Sequence, residues 1–195
     1  MIYDRMLDCV SWDAGYGGDK IYTEVGSEKS PGMGKLHNWI VFPSISTEIP
    51  VSILENTKLP TTYTKETLLN DLTIKYMGQK YAVGRHALIL DPGISPSYSE
   101  VKFRQPEEIL RFLAGLTYLL PEFDAIAIKE LAVGLSLASY TKYYEELQDM
   151  YSGKNYDFEV LGTDGRMKAK HVTIAKCTAL PQCQGSFFHK FFKIL

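Results

Sequence analysis

The stretch that decides the fold runs from Met6 to Val25 and reads MLDCVSWDAGYGGDKIYTEV. Its first seven residues alternate as a strand does, its glycine-rich middle predicts a tight turn, and the alternation from Lys20 to Val25 predicts a returning strand. The sequence therefore predicts a β-hairpin, with Asp13 at the entrance of its turn.

This hairpin has the chemistry of a phosphate site. Glycines leave backbone N–H groups bare at the tip of a turn, where phosphate oxygens can approach them. Lys20 adds a mobile positive charge. Asp13 would repel a phosphate, so its role would be to hold a water or a hydrated Mg²⁺ beside one. A plain turn is the alternative, because glycine-rich hairpins with a flanking acid are common.

The rest of the chain predicts an α/β protein. Residues Ser44 to Leu72 show weak periodicity and suggest an irregular insertion. Residues Ala125 to Val133 predict a buried strand, with a helix as the alternative. The remaining predictions are strands at Trp39–Phe42, Thr73–Tyr76, Lys80–Val83, Phe158–Leu161 and Lys170–Cys177, one or two helical turns at Arg85–Leu90, and helices at Pro106–Leu120, Ser139–Tyr151 and Phe187–Leu195.

Composition excludes several classes of protein. The chain has 195 residues, 45% of them hydrophobic and 23% charged, which predicts one compact unit. A net charge of −2 gives no general attraction to nucleic acid. Three cysteines and four scattered histidines fit neither a disulfide framework nor a zinc site. No export signal or membrane-spanning run is recognisable, so we expect a cytoplasmic protein without direct nucleic-acid or membrane partners.

The pattern Asp13-x-Gly15-Tyr16-Gly17-x-x-Lys20 resembles the first phosphate motif of the actin and heat-shock chaperone ATPase superfamily. The form D-x-G-Y-G-x-x-K is most similar to that of ParM-like prokaryotic actins and their archaeal relatives. One of the later segments that resemble the family, Val133–Leu137, departs from it at a single position, because Ser136 stands where the family has proline. Four further segments resemble family landmarks in the same order, namely Phe42-Pro43-Ser44, Tyr81–Leu88, Val133–Leu137 and Leu180-Pro181-Gln182.

The resemblance implies a ribonuclease H-like mixed sheet flanked by helices, as in the first domain of actin-like ATPases. It predicts that residues 1–195 form the N-terminal domain, with its core in 1–25, 36–45 and 100–195 and a smaller inserted subdomain at about 46–99. The chain stops thirteen residues past Gln182. We therefore expect the second actin-like domain, with its phosphate turn and adenosine pocket, to be absent from it.

The resemblance also implies roles for single residues. Asp13 would organise Mg²⁺ through water, and Gln182 would orient the attacking water, making these two the catalytic candidates. Lys20 would pair with a phosphate of ATP or GTP. The amides that receive the phosphates would come from Gly15, Tyr16, Gly17 and Gly18. A polar turn residue after proline is the alternative interpretation of Gln182.

By the same resemblance, the function would be that of a ParM-type protein that assembles filaments with ATP, for plasmid or DNA segregation or as a cytoskeleton. Its partners would be further copies or a full-length relative, with a DNA-binding adaptor as a further candidate. Whether this chain hydrolyses nucleotide alone stays open, because half of the phosphate clamp is expected to be missing. The leading alternative is a non-catalytic half-actin that binds or caps filaments of a full-length relative. A ribonuclease H-type nuclease and a sugar kinase fit the motifs less well.

Overall fold

A computed structural model describes residues 2–25, 36–50 and 62–182. Its main feature is one nine-stranded mixed sheet with helices packed on it. The strands are β1 (Arg5–Ala14), β2 (Asp19–Val25), β3 (Leu36–Phe42), β4 (Ser46–Glu48), β5 (Thr73–Tyr76), β6 (Gln79–Val83), β7 (Ala125–Leu135), β8 (Lys154–Leu161) and β9 (Met167–Pro181). The helices are α1 (Lys65–Asn70), α2 (Arg85–Leu90), α3 (Pro106–Leu119) and α4 (Leu137–Tyr151), with a 3₁₀ turn at Lys102–Arg104.

The strand order is β3-β2-β1-β7-β9-β8-β5-β6-β4. Strands β1, β7 and β9 run parallel in the middle of the sheet, and the other neighbours pair antiparallel. Parallel strands need long crossovers, which α3 and α4 supply before β7 and after it. This mixed sheet with helices confirms the predicted α/β class.

Helix α3 lies at the centre of the core. It begins with Pro106, which suits the first turn of a helix because that N–H has no helical partner anyway. The leucine, isoleucine and phenylalanine side chains that follow are buried on almost every side of the helix. Gly115 lets α3 approach the sheet, because a Cβ there would lie 2.5 Å from Ile21 Cδ1 and 2.7 Å from Phe42 Cε1.

Helix α4 packs on the same face of the sheet as α3. The Ser136 side chain accepts a hydrogen bond from the Ser139 amide, which caps the helix start. The ring of Trp12 on β1 lies 5.2 Å from that of Phe112 on α3 and 6.0 Å from that of Tyr151 on α4. These aromatic contacts join the first strand to both helices.

Several predicted boundaries differ from the observed ones. Asp13 and Ala14 belong to β1 and not to the turn, because they pair with β2 on one side and Asp13 also pairs with β7 on the other. The predicted insertion at 44–72 includes β4 and α1, two elements too short for periodicity to reveal. The alternative helix at 125–133 is excluded by β7. The predicted helix Phe187–Leu195 lies outside the described residues.

The stretch 46–99 holds β4, α1, β5, β6 and α2. Its strands extend the sheet through the pairing of β5 with β8. A small separate apolar cluster is formed by Ile45, Ile49, Ala82 and Ala87. The division into a core and an inserted subdomain stays a prediction. Within the described ranges, no helix has both the length and the apolar content needed to span a membrane.

Candidate phosphate site

The candidate site lies where the parallel strands end. Asp13 near the end of β1 pairs with Gly134 on β7, and Leu135 pairs with Pro181 at the end of β9. The carboxyl ends of parallel strands meet at one edge of a sheet, which is where α/β proteins commonly bind ligands. Asp13 and Gln182 are thereby brought together although 169 positions separate them.

Asp13 is the centre of this site. Its Oδ2 accepts a hydrogen bond from Lys20 Nζ at 2.9 Å, and its Oδ1 accepts one from Gln182 Nε2 at 2.9 Å. Gly134 lies between the two strands, and a Cβ there would lie 3.5 Å from Asp13 Oδ1 and 3.4 Å from Gln182 Cγ. A side chain larger than a methyl group would therefore enter the space in which these two side chains meet.

The turn between β1 and β2, residues Gly15 to Gly18, is called the phosphate turn below. The pairing of Ala14 with Asp19 closes it. A Cβ on Gly15 would lie 2.7 Å from the Gly18 carbonyl oxygen, closer than real Cβ contacts, so position 15 requires glycine. The ring of Tyr16 packs 5.6 Å from that of Tyr98.

Beneath the phosphate turn lies a cluster of four buried charged side chains, Asp19, Lys102, Glu108 and Arg111, called the charge network below. Arg111 Nε donates to Asp19 Oδ2 at 2.7 Å, and Arg111 also donates to Glu108 Oε2. Glu108 Oε1 lies 3.6 Å from Lys102 Nζ. Two carboxylates thus face two cations, which is the arrangement that burial of charge requires.

Lys102 connects this network to the phosphate turn. Its Nζ donates to the carbonyl oxygens of Ala14 and Gly15, the latter at 3.0 Å, and lies 4.9 Å from the centre of the Tyr16 ring. On the other side of the turn, Trp12 Nε1 donates to Asp19 Oδ1 at 3.1 Å. Both ends of the turn are therefore bound to buried polar groups.

The electrostatics of the network follow from its burial. Burial raises the pKa of the Asp19 carboxyl, while the nearby Arg111 guanidinium opposes that rise. For Arg111, burial lowers the pKa, but the Asp19 and Glu108 carboxylates outweigh it and the net pKa is raised. Arg111 therefore stays charged.

Sequence reasoning missed the network. An acid in the first turn of a helix is expected to lie at the surface, where it favours the helix dipole, but Glu108 is 1% exposed. A signal was available, since Glu108 and Arg111 are opposite charges three residues apart, with only apolar residues between them and directly after them on α3. Such a pair on an apolar helix predicts a buried ion pair.

The residues of the site fit a metal ion bound through water better than a metal ion bound directly by several side chains. Within the described ranges, no group of three histidine, cysteine or acidic side chains could hold a metal ion. Asp13 offers one half-exposed carboxylate, with its side chain 36% exposed. One carboxylate together with waters and phosphate oxygens is how Mg²⁺ is commonly bound beside nucleotides. The donor set is thus compatible with Mg²⁺ through water.

Of the predicted site residues, Asp13, Lys20 and Gln182 are in hydrogen-bond contact, and the four turn residues lie next to them. Their roles in binding and catalysis stay predictions. Gln182 uses its Nε2 toward Asp13, so its amide oxygen is the end that can accept a hydrogen bond from a water. A neutral amide orients a water but is no strong base.

Most of the chain matches one family of known proteins. The family model described as "Actin like proteins N terminal domain" matches residues 11–185. That range contains every predicted site residue. No curated protein matches the chain.

Solved structures of actin-like proteins superpose on this chain as well. ParM from Bacillus thuringiensis in its apo form superposes with a TM-score of 0.67 at 18% identity, over 93% of this chain and 47% of that chain. The actin-like protein Alp7A gives 0.66 at 14% identity, over 89% and 44%. The archaeal actin homologue Ta0583 in complex with ADP gives 0.63 at 14% identity, over 96% and 48%.

At such identities the likeness shows the fold, which confirms the ribonuclease H-like architecture of an actin-like domain. The chain spans about half the length of these solved structures.

Proposed function

The chain belongs to the actin-like proteins, as an N-terminal domain of that family, and on this premise we propose that it forms one side of a nucleotide-binding cleft. The ligand would be ATP or GTP with Mg²⁺. The observation that carries the proposal is the Asp13 carboxylate, bonded to both Lys20 and Gln182 beside the phosphate turn. This joins a glycine-rich turn, a cation and a side-chain amide in one place, the groups that the proposed binding of phosphates and water requires.

Each residue has a part in the proposed binding. Lys20 leaves Asp13 and pairs with a terminal phosphate, while the amides of Gly15 to Gly18 donate to phosphate oxygens. Mg²⁺, when bound, neutralises charge on those oxygens. Asp13 holds the metal's waters, and the amide oxygen of Gln182 orients a water toward the terminal phosphate. Hydrolysis needs hydrogen-bond donors on the opposite side of the phosphates as well. We therefore propose hydrolysis for an assembly in which a second domain or a further copy supplies these donors.

The wider role that we propose is nucleotide-dependent filament assembly of the ParM type, in plasmid or DNA segregation or as a cytoskeleton. One solved relative is a 15-stranded ParM filament from Clostridium botulinum, which superposes with a TM-score of 0.57 at 16% identity over 95% of this chain and 50% of that chain. Partners would be further copies or a full-length relative in the cytoplasm, with a DNA-binding adaptor as a further candidate.

Calorimetric titration with Mg-ATP tests the site. We expect binding by the wild-type chain and its loss in Asp13→Ala and in Lys20→Ala. Lys129→Ala is a matched control, because Lys129 forms an exposed pair with an acid, Asp8, away from the turn. Phosphate release, followed in parallel, would show that donors on the opposite side of the phosphates are present. A folded chain that binds no nucleotide would contradict the proposal and favour a non-catalytic half-actin that binds or caps filaments.

A further inference from the structure

We infer that Lys102 is a positioning residue, which turns the amides of Gly15 and Tyr16 toward the phosphates of the ligand. The inference rests on the proposed nucleotide site and adds to it a residue outside the phosphate motif. It begins from the two carbonyl oxygens, of Ala14 and Gly15, that Lys102 Nζ binds.

Peptide geometry gives the direction of the amides. In a planar trans peptide, the C=O and the N–H of one unit point in opposite directions. No peptide bond among the described residues is cis. The carbonyls of Ala14 and Gly15 point to Lys102, so the N–H groups of Gly15 and Tyr16 point away from it. Lys102 thus fixes two donors without touching the ligand.

A lysine side chain is flexible, so it can position a turn only if it is itself held. Lys102 is almost buried, with its side chain 10% exposed, and Glu108 faces its ammonium at 3.6 Å. Arg111 binds the other oxygen of Glu108 and, through Asp19, the far end of the turn. The charge network therefore holds the turn at both ends before a ligand arrives, and such preorganisation strengthens anion binding.

The charge of Lys102 adds to this effect. The network balances two cations against two carboxylates, so loss of the Lys102 ammonium would leave a net negative charge beneath the site of the phosphates, in a region from which water is largely excluded. A neutral side chain of the same length would thus repel the phosphates and also lose the hold on the two carbonyls. An arginine would keep the charge and some of the hydrogen bonds.

Trp12 offers a local probe, because its indole donates to Asp19 within the network. The chain has two tryptophans, so Trp39→Phe leaves Trp12 as the only one. In this background, fluorescence titration with Mg-ATP and with magnesium pyrophosphate would compare three variants. These are Lys102→Met, Lys102→Arg and the control Lys142→Met, whose lysine forms an exposed pair with Glu100.

We expect Lys102→Met to weaken both probes about tenfold or more, the effect of a lost charge-assisted bond to the turn. Lys102→Arg should recover part of the affinity, and Lys142→Met should bind as the parent does. Thermal unfolding of each variant separates lost affinity from lost folding. If Lys102→Met is folded and binds like the parent while Asp13→Ala does not bind, the inference is overturned and the proposed function stands.

A measurement on the unaltered chain covers the case in which Lys102→Met fails to fold. Magnesium pyrophosphate should shift the amide resonances of Gly15 and Tyr16 in nuclear magnetic resonance spectra and slow their hydrogen exchange. Saturation with pyrophosphate that leaves both amides unchanged would overturn the inference without any variant. If the parent binds neither probe, both the inference and the proposed function fail.

Discussion

Two lysine side chains are buried at opposite ends of the parallel strands, and both bind backbone carbonyls. Lys102 binds two carbonyls at the phosphate turn, and Lys170 binds two in the connection from α3 to β7. Their carboxylate partners differ, because Glu108 is 1% exposed whereas the Asp124 side chain is 72% exposed. Water can replace an exposed partner but not a buried one. The difference teaches that the lysine at the phosphate turn depends on a buried anion, whereas the lysine at the other connection does not.

Removing the buried carboxylate is the strongest way to break this comparison. We expect Glu108→Gln to lower the free energy of unfolding by about 3 kcal/mol or more, because Lys102 and Arg111 would be left buried without their shared anion. Urea unfolding measures the change. The neighbouring Glu107→Gln is the matched control, since Glu107 is only half-buried. A loss below about 1 kcal/mol would mean that the network contributes little to stability.

Removing the lysine at the other end should cost less. Lys170→Met leaves the Pro121 and Phe123 carbonyls without their donor, at 2.9 and 2.8 Å in the native chain. We expect a loss of about 2 kcal/mol in the free energy of unfolding. Mg-ATP affinity of the folded fraction should not change, because this turn lies at the opposite strand ends. A fall in affinity there would show that the two ends are coupled.

Removing the exposed carboxylate should have the smallest effect. Asp124→Asn breaks a pair whose distance is 2.8 Å, but water and salt already screen that carboxylate. We expect a loss below about 1 kcal/mol in the free energy of unfolding, and less at high ionic strength. The same urea experiment at low and high salt measures it. A loss equal to that of Glu108→Gln would remove the distinction between the two lysines.

The local elements were predictable because their signals are local. The alternation on both sides of the glycine turn predicted β1 and β2, and the apolar pattern after Pro106 predicted α3. The order of the strands carries no such signal. In particular, the pairing of β5 with β8 joins residues such as Ile74 and Val160, far apart in the sequence.

The site was predictable in part, for the same reason. Asp13 and Lys20 stand within one hairpin, whereas Gln182 was singled out only through the family resemblance. Lys102 was missed because its contacts at the turn lie 87 and 88 positions away, and nothing in its own neighbourhood marks it as buried. Long-range polar contacts are created by the fold, and a residue's neighbours do not encode them.

The crowding at Gly15 also bears on how this sequence can vary among strains. Every amino acid that one nucleotide change can put in place of glycine carries a Cβ, and that atom would lie 2.7 Å from the Gly18 carbonyl oxygen. The turn would then have to change shape, while the apolar core of the sheet and helices could stay as it is. Variation at position 15 would therefore report on the shape of the turn and not on the apolar core. On the proposed function, we expect a lineage that keeps its core but varies at this glycine to bind no nucleotide.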